Sequence, residues 1–298
     1  MAIINIDGFY DLHVHSSPAP FVRIGDSVDI AEWCAKAGMA GIVIKSHFES
    51  TVSKVHHARR EVMKAFPDFK VFAGIALNRG VGGVNPGAVE IALNLGAKIV
   101  WLPTFDAQNH ARVFGATGTY GFKSMTLESK GSVLHEEFTV LENGRLTGKA
   151  KEVIDLVAAY DAILATGHVS KEEIFAAFDY ALGKNVRKLL ITHPEYYVPN
   201  LAIHDLVEFS KLGAFMEFCA VSCGPMTPAS SIEQVKEMID AVGPERAIIS
   251  SDTGQPFSPR PPEALRVFAQ CLHERGIDED SIAQMAIRNP AGLLGVGT

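Results

Sequence analysis

Asp11-Leu12-His13-Val14-His15 closes the first apolar run of the chain. Side chains alternate along an extended strand, so His13 and His15 point the same way, roughly 6–7 Å apart. Two imidazoles converging at a strand end can hold one borderline ion such as zinc. The pair gains meaning from the other histidines. Of eleven in the chain, five fall at the ends of strand-like runs: His13, His15, His47, His168 and His193. Asp252 ends the last such run, in Ile-Ile-Ser-Ser-Asp-Thr-Gly. Imidazole fills a core poorly beside Val, Ile and Leu, so packing does not account for this distribution. A metal site, of one ion or two, does.

The elements that must position these groups are legible as an alternation. Apolar runs cover 9–15, 41–47, 70–78, 98–104, 162–168, 188–193, 214–218 and 247–252, and most are continuous, as parallel strands buried on both faces require. Helical patterns separate them. Asn85-Pro86 reads as an N-cap with Pro at the first helical position, and Ser170/Glu173 and Ser231/Gln234 read as capping boxes. Gly38, Gly96, Gly183, Gly213 and Gly243 each follow a helical pattern where a left-handed C′ residue is wanted. Eight strands with seven intervening helices and a last helix over about 262–275 spell a (β/α)8 TIM barrel. A doubly wound sheet would show a Gly-rich phosphate turn after the first strand, where this chain has His-Ser-Ser-Pro. In a barrel all strand C-termini ring one mouth, which brings the five histidines and Asp252 together.

The expectation is a single domain over 1–298. Most strand ends are one βα unit apart, but the step from 104 to 168 spans 64 residues. The excess, about 105–148, is an insertion after the fourth strand, with a hairpin over 138–146 turning at Asn143-Gly144. It should rise beside the mouth as a lid or substrate-contacting flap around Tyr120 and Phe122, with a dimerisation arm, and hence a homo-oligomer, as the alternative. His110 and His135 lie within it. His56, His57, His204 and His273 fall on helices and read as surface residues.

Composition narrows the function classes. The chain is 47% hydrophobic and 20% charged, enough apolar material for a sizeable core and too little charge for disorder. A net charge of −7 without any basic block makes nucleic acid and anionic membranes poor partners and leaves a small-molecule substrate. No apolar run approaches the ~20 residues that span a bilayer. Residues 1–15 show no export signal, and Cys34, Cys219, Cys223 and Cys271 read as reduced buried thiols, so the expectation is a cytoplasmic protein. With no second cysteine pair nearby, Cys219 and Cys223 do not read as metal ligands.

The His-x-His after the first strand, Gly167-His168, Thr192-His193-Pro194 and Ser251-Asp252 together resemble the amidohydrolase superfamily, as does the tail Asn289-Pro290-Ala291-Gly292-Leu293-Leu294-Gly295. Asp11-Leu12-His13-Val14-His15-Ser16 and Lys45-Ser46-His47 are also similar to the polymerase-and-histidinol-phosphatase (PHP) type of metallophosphoesterase. More narrowly, Ile-Lys-Ser-His, Val-Gly-Gly-Val-Asn-Pro, Val-Trp-Leu-Pro-Thr and Ala-Thr-Gly-His-Val resemble a bacterial group of predicted metal-dependent hydrolases. The resemblance implies His13, His15, His168 and His193 as metal ligands and Asp252 as ligand and general base. Two departures bear on metal count. Where superfamily members carry a bridging Lys or Glu, this chain has Trp101-Leu102-Pro103-Thr104 and Leu77-Asn78, and where the phosphoesterases carry a His after Asp252 it has Gly254. His47 or Lys45 would compensate.

A bound Zn²⁺ lowers the pKa of its water from about 15.7 to near 7, and a carboxylate such as Asp252 can carry the proton to the leaving group. Arg23 offers a bidentate fork and Lys45 a point charge to a substrate anion. Glu217 stands where it could orient a ligating His. The leading expectation is a metal-dependent hydrolase that cleaves an amide, cyclic amide or lactone of a small anionic substrate through metal-bound hydroxide. A PHP-like phosphoesterase, a single-metal decarboxylase and a non-catalytic metal-dependent binding protein are the alternatives.

Overall fold

In the computed structural model, which describes residues 3–121, 123–127 and 136–297, each apolar run becomes a parallel strand. The strands are β1 (Tyr10–His15), β2 (Gly41–Lys45), β3 (Lys70–Ala76), β4 (Ala97–Trp101), β7 (Ile163–Ala165), β8 (Leu189–Thr192), β9 (Phe215–Cys219) and β10 (Ala247–Ser250). They form one sheet in that order. The sheet closes on itself: Val14 bridges Thr253 in parallel, His15 N donates to the Thr253 carbonyl (2.8 Å) and Asp252 N to the His13 carbonyl (2.9 Å). This is a (β/α)8 barrel, and its closure excludes the open doubly wound sheet.

Helices α1 (Ser27–Lys36), α2 (Val52–Val62) and α3 (Pro86–Asn94) follow the first three strands. After β4 come α4 (Gln108–Phe114), the hairpin β5 (Leu141–Glu142) and β6 (Arg145–Leu146), and α5 (Gly148–Ala159). The outer ring continues with α6 (Lys171–Gly183), α7 (Ile203–Lys211), α8 (Ile232–Val242) and α9 (Pro261–Glu274). Two short helices, α10 (Glu279–Ala283) and α11 (Asn289–Leu294), end the chain. The Asn85 cap and both capping boxes form as read. One C-cap does not: Gly183 stays inside α6, and Asn185 (φ 63°) takes the left-handed position instead. Asn tolerates that conformation because its short side chain hydrogen-bonds locally.

Apolar residues divide between two cores. Ile42, Ile44, Met216, Phe218 and Ile249 face the helices. Tyr10, Leu12, Val43, Phe72, Ile99, Trp101, Leu190 and Ile248 fill the barrel, with Leu293 and Leu294 of α11 joining that interior cluster. The period-2 rule then puts Lys45, Glu217 and Ser250 on the interior side, above this filling. β1 breaks the rule. Asp11 pairs with Ile42 but Val14 with Ile44, so β1 carries one extra residue. The irregularity switches faces: Leu12 belongs to the interior and Val14 to the helix side, which turns His13 and His15 into the mouth.

One expectation about placement needs correction. His47, His168 and Asp252 lie two to three residues beyond their strands and His193 one beyond, because the backbone leaves the ladder there. Gly167 (φ 60°), His193 (φ 32°) and Asp252 (φ 50°) are all left-handed. In addition, Phe122 and His135 lie outside the described residues. Of the segment between β4 and α5, Tyr120 and Met125 pack at the mouth against Phe21, Phe105 and Tyr196. The hairpin turns at Asn143 (φ 51°) and Gly144 (φ 73°), as a type I′ turn requires.

Trp101 forms the floor under the histidines, and Gly74 of β3 makes room for it. A Cβ at Gly74 would lie 2.3 Å from Trp101 Cζ3 and 2.8 Å from the Ile99 carbonyl oxygen. Gly74→Ala should therefore lower stability by about 1–3 kcal/mol, the usual cost of overpacking. Urea unfolding followed by far-UV dichroism measures this, with loss of the near-UV tryptophan signal reporting displacement of Trp101. An unchanged midpoint would contradict the close approach.

Candidate metal centre and active site

The barrel seam between β1 and β10 builds the centre of the site. Asp252 Oδ1 lies 3.1 Å from His13 Nε2 and 3.1 Å from His15 Nε2. Both histidines are buried, while Asp252 keeps 14% of its side chain open. The seam tolerates no side chain just beyond Asp252. Gly254 (φ 133°) passes so close to β1 that a Cβ would sit 2.0 Å from the His15 carbonyl oxygen. The ring of His193 stacks near His13 at 5.9 Å, and its Nδ1 is buried without a hydrogen-bond partner.

A polar layer supports this group from below. Lys45 Nζ lies 2.9 Å from His13 Nε2 and 5.3 Å from the Trp101 ring centre. On the other side of the same imidazole, Glu217 Oε2 is 3.4 Å and Cys219 Sγ 3.9 Å from Nδ1. Ser250 Oγ donates to Glu217 Oε1 (2.8 Å). Burial lowers the pKa of Lys45, raises that of Glu217 to about 7 and lowers that of His13 to about 3. Glu217 is thus placed to hold His13 with Nε2 facing the cavity. Donor atoms of His13, Cys219 and Asp252 lie within 4.8 Å of one another, but burial raises the Cys219 pKa well above the usual thiol range, so it stands beside His13 as the buried, reduced thiol that was expected.

His47 is brought to the same place but in a different role from a free ligand. Its ring stacks on His15 at 4.8 Å. Nδ1 meets Thr104 Oγ1 (2.8 Å) and Nε2 meets the Tyr120 hydroxyl (3.1 Å), so both nitrogens are occupied. Asn78, at the position where a bridging carboxylate was sought, donates to Thr104 Oγ1 (2.6 Å) and to the His47 carbonyl (3.0 Å).

His168 is held by a residue that no local motif marks. His110 of α4 stacks on it at 5.0 Å, with Nδ1 to Nδ1 at 2.9 Å, and His110 Nε2 lies 2.7 Å from the Thr119 carbonyl. A carbonyl only accepts, so His110 carries its proton on Nε2. Burial holds His110 neutral, its pKa lowered to about 4. Its Nδ1 therefore accepts, His168 Nδ1 donates, and the bare nitrogen of neutral His168 is Nε2. The only trace of this in the sequence is that His110 sits in the segment rising after β4.

Arg23 lies in the cavity wall rather than on the surface. It is 9% exposed, and its buried Nε and Nη1 have no hydrogen-bond partner among the described residues. Tyr120, Tyr196, Gln255 and Asp252 line the same cavity, whose volume is about 30 Å³. That is room for about one water molecule or ion.

Residues 8–217 match the sequence profile of a family of unknown function (DUF6282). The chain belongs to that family. No protein of curated function matches its sequence. Among solved structures it is similar to an amidohydrolase from Pseudomonas aeruginosa, with a TM-score of 0.61 and 12% identity over 97% of this chain and 95% of that one. A putative 2-pyrone-4,6-dicarboxylic acid hydrolase from Pseudomonas putida gives 0.59 and 11%, over 97% of each chain. An organophosphorus hydrolase from Deinococcus radiodurans gives 0.56 and 12%, over 97% of this chain and 92% of that one. These likenesses establish that the chain shares its barrel fold with these hydrolases.

The donor set fits a divalent ion of the zinc type. Metal–ligand bonds of ~2.0 Å in a tetrahedron put donors about 3.3 Å apart, close to the two 3.1 Å separations around Asp252. The imidazoles are neutral, the orphaned Nδ1 of His193 lacks any other partner, and Lys45 is biased towards a neutral amine.

Two outcomes follow from this geometry. His110→Phe should weaken metal binding by about 10–100-fold, the usual effect of removing an outer hydrogen-bond partner of a ligand, while His110→Asn, which restores an acceptor, recovers most of it. Competition with a chelating dye measures both, and equal affinities in all three proteins would sink the relay. Acid sensitivity is the second. Burial lowers the pKa of His13, His15, His47, His110, His168 and His193 and raises that of Asp11, Glu195 and Glu217. Between pH 6.5 and about 4 the unfolded chain binds protons at six imidazoles that the fold excludes, against those three acids and Asp106, whose protons the fold holds more tightly. Stability should therefore fall with pH across that window. Urea midpoints of metal-free protein that stay level from pH 6.5 to 5 would contradict this.

Proposed function

We propose that this protein is a metal-dependent hydrolase that cleaves a C–N or C–O bond in a small anionic substrate. The observation that carries the reading is the buried guanidinium of Arg23, which lies over Phe21 with Nε and Nη1 lacking a hydrogen-bond partner among the described residues, in one cavity with the His13–His15–Asp252 triangle. A buried cation without a partner is costly, and a substrate carboxylate or phosphate would complete it. The other side of the cavity supplies nitrogen and oxygen donors for one ion, zinc being the best match to their type.

His13, His15, His193 and Asp252 would hold the ion, with His168 presenting Nε2 beside them. When bound, such an ion polarises the scissile group and acidifies water. Asp252, partly open to the cavity, is placed to take a proton from water and pass it to the leaving group. Arg23 fixes the anion and so the orientation of the scissile bond. Lys45 would hold or release a proton beside His13, and the Tyr120 hydroxyl closes the cavity over His47. The hydrolases of similar fold named above support this class of reaction. A phosphoester substrate is the second reading, because a guanidinium fork suits phosphoryl oxygens as well as a carboxylate.

His13→Ala should lose most of the metal, as judged by metal content per chain. Asp252→Asn, which keeps an oxygen donor but not the base, should retain most of the metal while kcat falls by about 10²–10⁴. Arg23→Ala should raise KM by roughly 10–100-fold with metal unchanged, the worth of a charged hydrogen bond. Lys45→Met separates a metal-coupled lysine, whose loss lowers metal content, from a substrate hook, whose loss raises KM alone. The decisive experiment is metal content paired with a screen of amides, lactones and phosphate esters. Turnover confined to phosphate esters would overturn the leading reading.

A further inference from the structure

The cavity that holds Arg23 is far too small for a whole substrate, so the remainder must lie elsewhere. A second cavity of about 490 Å³ adjoins it. Val221, Thr227 and Phe257 line both and form the partition between them. The second cavity runs beneath the loops that follow β9 and β10 towards α8 and α9, and both loops belong to the mouth of the barrel. Its volume lies within the usual range for ligand sites. Its lining is unusual for this chain. Among the described residues no charged side chain contributes to it, although 20% of the chain is charged, and Met226, Pro256, Ile232 and Phe268 give it an apolar wall.

From this juxtaposition we infer that the substrate is amphiphilic: its anionic, hydrolysable end sits at Arg23 and Asp252, and an uncharged alkyl or aryl group occupies the cavity between the β9 loop and α9. The inference rests on the proposed anion and metal site and extends it to a substrate class. A charged group would find no counter-charge among the residues that line the second cavity, so it gains nothing by entering. An apolar group gains by leaving water, and its gain grows with each methylene buried. Phe257 lines both spaces, so a ligand that spans them would pass beside its ring.

The probes are methyl-, butyl- and hexylphosphonate, titrated by calorimetry into the full-length protein loaded with zinc. Affinity should rise about threefold to fourfold per methylene, so hexylphosphonate should bind at least about a hundredfold more tightly than methylphosphonate. Val267→Trp fills the cavity from the outer face of α9, at a residue 41% exposed and remote from the metal donors. It should flatten the series while leaving methylphosphonate affinity unchanged. Met226→Lys, at a 54% exposed loop position, should do the same by bringing a charge to the wall. A flat series in the unaltered protein, with methylphosphonate bound and lost on Arg23→Ala, overturns the apolar subsite and leaves the anion site standing. A steep series that both variants preserve places the alkyl group elsewhere and likewise overturns it. Failure of every phosphonate to bind overturns the anion site itself, and the subsite with it.

Discussion

Closure of the barrel between β1 and β10 is the constraint on which the rest depends. The bonds that join the two strands, His15 to Thr253 and Asp252 to His13, also set the Asp252 carboxylate between two imidazoles. Asp11 strengthens the same seam, since one of its oxygens accepts from both Ser251 N (3.0 Å) and His13 N (3.0 Å). The extra residue in β1 and the left-handed turn at Asp252 are local departures from regular geometry, and both occur where the donors converge. Bulges and strained residues persist only where surrounding structure over-determines them. Here two strand ends and Gly254 do so.

Burial supplies the electrostatic character of the site. Six imidazoles, a lysine and three acids are packed where few of them can be charged at once. The result is a set of neutral lone pairs and poised protons rather than a network of surface-type ion pairs. Hydrogen bonds then decide which nitrogen of each ring faces inward. Glu217 does this for His13, and the chain Thr119–His110–His168 does it from the segment after β4. The two supports come from opposite sides of the mouth, so ligand orientation depends on the whole ring of loops.

The likeness in fold to an amidohydrolase, a pyrone-dicarboxylic acid hydrolase and an organophosphorus hydrolase is informative in a limited way. One barrel hosts different substrates, because chemistry resides in the side chains at the mouth. In this chain the mouth combines Arg23, the histidine and aspartate donors and an uncharged space behind Phe257.

The sequence by itself determined the barrel, because continuous apolar runs separated by capped helices leave few other ways to bury both strand faces. It also marked His13, His15, His168, His193 and Asp252, since polar side chains at the ends of apolar runs must emerge at one rim. Lys45 and Glu217 were visible as charges inside such runs. Only the tertiary structure decided how these groups meet. The bulge in β1 reverses which residues face inward, and no local pattern announces a one-residue change of register. His47 ends a run yet spends both nitrogens on Thr104 and Tyr120, partners 57 and 73 residues away in the chain. Arg23 belonged to a loop and could have been solvated, and burial without a partner is a property of the surroundings that enclose it. Such relations depend on distances between elements far apart in the chain, and those distances exist only once the barrel has closed.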